Sequence, residues 1–361
     1  MKRAKWKIGI WGQFGDGGKI ADGQAVRTTV ITGELQNRYG RGNIGIANTN
    51  NWRRKPFLFL WECIVLVAKS EKVIILPADN GFIIFVPMLM AINILFRRIL
   101  IYVVIGGFLP ELLKKHRHYI HLVKKFNALF VQTNNLKRDL ETLGIANIFI
   151  LTNPKRLNTR KNSDMVFNNN QDIRVCVFSR INKEKGIEDA IEAVKLANRE
   201  LQEERIKLDI FGLLPDNYKD RFCQLLNENK GLITYQGIVD FDKTVETLKN
   251  YFALLFPTYY YGEGLPGNVV DAYNAGLPII ATDWLYNHEV IENGRNGILV
   301  PIQNPKELCN ALLMLYRNRA LAYQIALNNL NDAKRYQPDQ VLHEFYAFLD
   351  RNSNKECSNI F

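Results

Sequence analysis

The residues best suited to chemistry in this 361-residue chain lie in one stretch: Pro257-Thr258-Tyr259-Tyr260-Tyr261-Gly262-Glu263-Gly264-Leu265-Pro266-Gly267-Asn268-Val269-Val270-Asp271-Ala272. An apolar run, Ala253–Phe256, leads into it, and a helical pattern opens near Asn268 with Asp271 one turn inside. A helix start aims unpaired backbone N–H groups at an anion, and here two carboxylates flank it. Such a site suits a diphosphate carrying hydroxyl-rich groups at both ends, as a nucleotide sugar does. Gly264, Pro266 and Gly267 crowd around Glu263, which favours a shaped loop over a solvated acid. Asp271 has a competing reading, because Asn268-x-x-Asp271 resembles a capping box whose carboxylate only satisfies the helix start.

A second cluster precedes it. Val175–Ser179 reads as a strand, followed by Arg180-Ile181-Asn182-Lys183-Glu184-Lys185-Gly186 and a helical run from Ile187. Open parallel sheets bind ligands beyond the carboxyl ends of their strands. Arg180 and Lys185 would sit there on one loop, where both could grip a diphosphate and neutralise its charge as it departs. The alternative is a pair of solvated cations. Two further motifs carry less. Asp240-Phe241-Asp242 fits the Asp-x-Asp pattern of metal–nucleotide sites, yet it precedes the helical run Lys243–Asn250, and Asp242 as an N-cap is the simpler account. No metal is expected. The loop Gly12-Gln13-Phe14-Gly15-Asp16-Gly17-Gly18 is not a Gly-x-Gly-x-x-Gly fingerprint, so it gives little support to dinucleotide binding.

These loops need strands to hold them. Short Val/Ile/Leu runs alternate with helical stretches at Ile8–Trp11, Ile44–Ala47, Val73–Leu76, Leu100–Ile105, Leu129–Gln132 and Ile148–Leu151. They alternate again at Val175–Ser179, Leu208–Phe211, Ile233–Tyr235, Ala253–Phe256, Ile279–Ala281 and Ile298–Val300. Continuous apolar runs of this length belong to parallel strands covered on both faces. Ala25–Tyr39 and Asn135–Leu143 read as amphipathic helices ending on Gly40 and Gly144. Leu157–Asp172 is polar, holds an Asn triplet and has no apolar period, so it reads as a linker. The expectation is an α/β protein of two Rossmann-like doubly wound domains facing a central cleft, spanning residues 1–160 and 172–335, with a helical segment over 336–361.

Composition sets the bounds. With 47% apolar and 23% charged residues the chain predicts a globular protein with a sizeable core. Phe57–Ala68 and Phe82–Phe96 are its longest apolar candidates, both shorter than a bilayer span, and the basic N-terminus lacks the apolar stretch of a signal peptide. Five widely spaced cysteines, Cys63, Cys176, Cys223, Cys309 and Cys357, include no Cys-x-x-Cys pair. That argues for a reducing cytoplasm and against disulfides or zinc. Residues 1–160 hold 25 Lys+Arg against 9 Asp+Glu, a net of +16, and the remainder holds 22 against 27, a net of −5. Cations Lys114, Lys115, Arg117, Lys124 and Lys125 interleave with Leu109, Leu112, Leu113, Tyr119 and Leu122, a mixture that suits an anionic membrane surface. Charge alone would also suit nucleic acid, but no nucleic-acid motif or aromatic stacking pattern accompanies it, so no nucleic-acid partner is expected.

The second half resembles the donor domain of the retaining glycosyltransferases of family 4, the group 1 glycosyl transferases. The resemblance is carried by Ser179–Gly186, Phe211-Gly212, Tyr235-Gln236-Gly237, Phe256-Pro257-Thr258, the Glu263-to-Asp271 motif, Ala275–Thr282 and Asn293–Val300. It covers residues 172–335 by motif and the first half only in outline. It implies the two-Rossmann GT-B architecture and a hexosyltransferase that moves a sugar from a nucleotide-diphosphate sugar to a glycan or lipid-linked acceptor in polysaccharide biosynthesis. The co-substrate is then the nucleotide sugar, with no further cofactor, and the enzyme is cytoplasmic or peripheral on the inner membrane face. The resemblance assigns Arg180 and Lys185 to the donor diphosphate and Glu263 to the donor sugar. Gly237 and the Gly264-Leu265-Pro266-Gly267-Asn268 loop complete the donor site, and Asp271 takes the ribose. Asp271 stands where the family usually has Glu, with seven residues between it and Glu263, and has the shorter arm. It also places Asp16, Gly17 and Gly18 near the acceptor. The His that family members often carry after a first-domain strand has no counterpart in Tyr102–Phe108, and His116, His118 and His121 read as surface residues. By the same resemblance, the acceptor hydroxyl attacks the face the leaving group departs from, and a donor phosphate oxygen takes its proton. A nucleotide-sugar epimerase of the same architecture is the nearest alternative.

Overall fold

In a computed structural model, which describes residues 5–14, 23–50, 52–155, 159–161 and 173–351, each of the twelve apolar runs forms a strand. The first six are β1 (Trp6–Gly12), β2 (Ile44–Asn48), β3 (Ser70–Leu76), β4 (Ile99–Val103), β5 (Ala128–Val131) and β6 (Ile148–Ile150). They make one sheet in the order β2-β1-β3-β4-β5-β6, every neighbouring pair parallel. Parallel neighbours require crossovers, supplied by α1 (Gly23–Tyr39), α2 (Pro56–Lys69), α3 (Asp79–Phe96), α4 (Leu109–Lys115), α5 (His118–Val123) and α6 (Asn134–Thr142). Both expected glycine stops hold: Gly40 has φ 86° and Gly144 φ 72°, the left-handed region that ends a helix. Helix α6 starts on Thr133, whose hydroxyl accepts the Leu136 N–H.

The other six strands are β7 (Ile173–Phe178), β8 (Ile206–Phe211), β9 (Ile233–Gly237), β10 (Ala253–Phe256), β11 (Ile279–Thr282) and β12 (Ile298–Val300). Their order is β12-β11-β10-β7-β8-β9, again all parallel. The chain runs outward from β7 through β8 to β9, then returns to β10 on the other side of β7. The switch point of this sheet therefore lies between β7 and β10. Helices α7 (Ile187–Leu201), α8 (Asp216–Glu228), α9 (Thr244–Leu248), α10 (Gly267–Ala275), α11 (Asn287–Val290), α12 (Pro305–Arg317) and α13 (Arg319–Ala333) flank it.

The last two helices, α14 (Pro338–Val341) and α15 (His343–Asp350), belong to the first sheet. Phe345 is buried edge-on against Phe130 of β5 at 4.7 Å, and Lys72 of β3 donates to the Leu349 carbonyl at 2.6 Å. One unit thus comprises residues up to Pro154 together with those from Pro338 onward, and the other runs from Lys155 to Gln337. The stretch read as a linker lies mostly outside the described residues. Within it, Arg160 is fixed to the second unit through its N–H on the Asn274 carbonyl (2.9 Å).

Three expectations need correction. Asp242 does not cap a helix: α9 begins at Thr244, whose own hydroxyl bonds back to the Phe241 carbonyl. Of the apolar residues interleaved with the basic stretch, Leu109 and Leu113 are buried and Leu112, Tyr119 and Leu122 only partly exposed, so α4 and α5 present cations to solvent with little apolar surface. Helix α3, finally, is long and apolar enough to cross a bilayer by length and composition. It nonetheless joins two adjacent parallel strands and buries Phe82, Phe85, Val86 and Leu89, as a crossover helix must.

Candidate functional site

Ligands bind where the strand order of a doubly wound sheet reverses, so the loops after β7 and β10 are the place to look. These are the two loops that carry the cations and the acids. Strand β7 ends at Phe178, and its loop closes in a short 3-10 turn over Lys183–Lys185. Asn182 caps that turn by accepting the Lys185 N–H at 2.9 Å. Gly186 follows with φ 70°, and a Cβ there would lie 2.1 Å from the Pro257 carbonyl oxygen, so only glycine lets the two loops approach this closely. The Tyr259 N–H then bonds to the Glu184 carbonyl at 2.8 Å.

This contact brings Lys185 against Glu263. The ammonium forms an ion pair with Glu263 Oε2, and the Thr258 hydroxyl donates to the same oxygen at 2.9 Å. Lys185 also lies over the Tyr260 ring, 4.9 Å from its centroid. Thr258 is itself buried, holding the Tyr260 N–H on its hydroxyl at 3.2 Å and the Thr282 hydroxyl on its carbonyl. Trp284 secures the turn by donating to the Tyr260 carbonyl at 2.9 Å. Glu263 is therefore held at one oxygen, and Oε1 accepts no hydrogen bond among the described residues.

Beyond Glu263, Gly264, Leu265 and Pro266 are buried and lead into α10. The residue before that helix is Pro266, which offers no side-chain oxygen, so the first-turn N–H groups have no side-chain cap. Asn268 Nδ2 donates to the Phe178 carbonyl at 2.8 Å, tying the helix start to the end of β7. The capping-box reading fails here, because Asn268 is spent on Phe178 and Asp271 has other partners. Asp271 is buried beside Lys155, whose ammonium sits 2.5 Å from its carboxylate and 3.0 Å from the Gly267 carbonyl. Burial pushes the Asp271 carboxyl up against the opposing pull of Lys155. The expected ribose acceptor is thus occupied within the unit. Its partner Lys155 lies in Asn153-Pro154-Lys155-Arg156, a run whose residue types mark no site.

Arg180 is exposed at the mouth of the β7 loop and forms no ion pair among the described residues. Gly237 ends β9 with φ 80°, its carbonyl accepting the Gly212 N–H at 2.8 Å. Gly212 (φ 138°) allows the closer approach: a Cβ would fall 1.8 Å from the Ser179 carbonyl oxygen. Asp16, Gly17 and Gly18 lie outside the described residues. No group of three or more metal-ligating side chains occurs among the described residues, and Asp240 faces solvent, paired loosely with Lys243 at 4.0 Å.

The chain is similar to known proteins in sequence and in fold. Residues 172–318 match the family model described as glycosyl transferases group 1. The poly(ribitol-phosphate) alpha-N-acetylglucosaminyltransferase of Staphylococcus aureus is 24% identical over 243 residues, 64% of this chain and 45% of that protein. The N,N'-diacetylbacillosaminyl-diphospho-undecaprenol alpha-1,3-N-acetylgalactosaminyltransferase of Campylobacter jejuni is 28% identical over 123 residues, 34% of this chain and 32% of that protein. The chain spans less than half the length of the curated relatives it matches. Among solved structures, Anabaena HepE in complex with UDP-glucose superposes with a TM-score of 0.73 at 14% identity, covering 95% of this chain and 98% of that one. That likeness shows the fold, two doubly wound parallel sheets of the GT-B type.

Proposed function

From a chain whose residues 172–318 form a glycosyl transferases group 1 domain, we propose a retaining glycosyltransferase that moves a hexosyl group from a nucleotide-diphosphate sugar to a glycan or lipid-linked acceptor in polysaccharide biosynthesis. The observation that carries this reading is the junction of Lys185 and Glu263 from the two loops at the switch point, beside the uncapped start of α10. A diphosphate seated there meets the first-turn N–H groups of α10 and the Lys185 ammonium, with Arg180 approaching from solvent. The free Oε1 of Glu263 accepts from a hydroxyl of the transferred sugar. The bond from the anomeric carbon to the phosphate oxygen breaks and one to the acceptor oxygen forms on the same face. The hydroxyl proton passes to the departing diphosphate, whose negative charge Lys185 and the helix start stabilise.

UDP-sugars are the first donors to test, since the HepE structure holds UDP-glucose. The Campylobacter relative's name gives a diphospho-undecaprenol acceptor and the Staphylococcus relative's a poly(ribitol-phosphate), so a polyprenyl-diphosphate saccharide and a polyol-phosphate chain are the acceptors to try. We place the enzyme in the cytoplasm, the compartment that five widely spaced cysteines without a Cys-x-x-Cys pair suit. A melting-point screen of UDP-sugars identifies the donor, because a ligand that binds only the folded form raises the midpoint. Transfer is then read by mass spectrometry with and without acceptor. Sugar appearing on the acceptor supports the proposal. A donor converted to its epimer without acceptor turns it toward the epimerase, and a full panel of nucleotide sugars that neither binds nor reacts ends it.

A further inference from the structure

We infer that the outer face of α2 and α3 docks this protein onto an anionic bilayer, lying in the interfacial layer without crossing it. Phe57 is 87% exposed, Trp61 64%, Ile94 74% and Leu95 79%. Exposed side chains of this size and number on two neighbouring helices exceed the scattered apolar residues of a soluble surface. Helix α3 shows the anomaly best. Its sheet-facing side is apolar, as a crossover helix requires, but its solvent side is apolar too. Ile83, Ile84, Ala91, Ile94 and Leu95 follow one another at helical spacing, and no charged residue falls between Asn80 and Phe96. A helix covered on one side only should be polar on the other. Helix α2 lies alongside: its Phe59 is 5.7 Å from Phe85 of α3, and Trp52, in the turn that precedes α2, is 5.6 Å from the same ring. The two stripes therefore form one face.

The charges around this face select its occupant. Arg53, Arg54 and Lys55 stand exposed just before α2, and Lys69 and Arg97 stand exposed at the far ends of α2 and α3. Tyr119 of α5 reaches the Ile83 carbonyl at 3.3 Å, which sets the exposed Arg117 and Lys124 of the basic stretch beside the same face. Glu62 is the exposed acid on α2. An apolar strip with cations at both ends and an exposed Trp matches the layering of acyl boundary and anionic headgroups, and each cation near the surface adds attraction to anionic lipid. A second copy of this chain fits poorly. A two-fold contact lays the face on itself, and with both ends basic either orientation sets cations against cations.

Vesicle co-sedimentation of the full chain tests this without donor or acceptor, so its outcome is independent of the transfer reading. The expected result is binding to vesicles containing phosphatidylglycerol, weaker binding to pure phosphatidylcholine, and partial release by salt. Trp61→Glu with Leu95→Glu should lower the partition coefficient at least about tenfold with the melting point unchanged. Reversing Arg53, Arg54 and Lys55 to Glu should remove most of the salt dependence. The inference is overturned if the wild-type chain stays in the supernatant with anionic vesicles, or if the Trp61/Leu95 variant sediments like wild type. It is also overturned if Lys114→Glu/Lys115→Glu alone abolishes binding, which would leave docking to α4. A wild-type dimer that the Trp61/Leu95 variant dissociates, with no vesicle binding by either, would assign the face to a second copy.

Discussion

Lys185, from the loop after β7, and Glu263, from the loop after β10, form an ion pair with both side chains largely shielded from solvent. The residues are 78 positions apart and meet because their strands are neighbours at the switch point of the sheet. Each needs the other. An isolated acid or ammonium in this half-enclosed position would lose hydration without compensation. The pair therefore holds the acid and the cation in one geometry before any ligand arrives.

Substitution of either partner should consequently disable the same step. Glu263→Gln and Lys185→Met are each expected to lower the transfer rate by about two orders of magnitude, the scale of a lost electrostatic contact in an enclosed site. The double variant should fall little below the worse single one, because residues acting as a unit are non-additive. Single-turnover rates for the three variants decide this. Losses that multiply would mean that the two side chains serve separate steps.

Asp271 and Lys155 form a pair of a different kind, deeper and directed into the unit. Removing one partner of a buried ion pair costs about 3–5 kcal/mol, since the survivor stays buried and uncompensated. Asp271→Ala and Lys155→Met should each lower the melting point of the ligand-free protein, and Lys155→Met combined with Asp271→Leu should recover much of that loss. A ribose-binding role predicts the opposite pattern for Asp271→Asn: unchanged melting and weakened donor affinity. Ligand-free melts beside donor titrations separate the two.

The contrast between these pairs shows what the sequence could convey. Ala253–Phe256 and Ile298–Val300 were legible to the residue because an apolar run between turn formers has one common use. At β3 the read strand, Val73–Leu76, begins three residues late. Ser70, Glu71 and Lys72 are polar, and the strand extends through them because Ser70 donates to the Leu66 carbonyl one helical turn back and Lys72 to the distant Leu349 carbonyl. The shaped loop around Glu263 was legible from its glycines and Pro266. Lys155 was not, because its partner lies 116 residues away and nothing near it in sequence signals burial. The α2/α3 face escaped for the opposite reason: a helix apolar all round reads as buried, and only its place at the outside of the sheet shows that one side is bare. The amphipathic pattern of α15 likewise announces a helix without saying which sheet it covers.

Gly186 and Gly237 offer a matched comparison of backbone strain with crowding. Both have positive φ, 70° and 80°, but an added Cβ would strike the Pro257 carbonyl at the first and meets no atom within 4 Å at the second. Gly237→Ala should therefore cost only the left-handed penalty of about 1–2 kcal/mol. Gly186→Ala adds displacement of the Pro257 loop, and with it of Lys185 from Glu263, so it should lose both more stability and the transfer activity. Equal melting-point losses in the two variants would show that the loop contact yields freely.

Asp209 on β8 links structure to pH. It is buried and accepts from Arg174 Nε and the Tyr251 hydroxyl, each at 2.8 Å. Burial alone would raise its carboxyl, but hydrogen bonds from Arg174, Tyr251 and Gln236 outweigh that and hold it below the ordinary value. A carboxylate with a lowered folded-state value stabilises the protein above its unfolded-chain value, about 3.9 for Asp. That contribution is lost as pH falls through the still lower folded value. Asp209→Asn keeps the shape and removes the charge, so at neutral pH it should cost about 1–3 kcal/mol, a drop of several degrees in the melting point of a unit this size. The gap between wild type and variant should stay constant from pH 7 down to about 5 and close progressively below about 4, because protonation of the wild-type side chain then removes the same charge. A gap that persists undiminished into the acid range would show that Asp209 stabilises the sheet through shape and neutral hydrogen bonds, with Arg174 contributing no charge-dependent part.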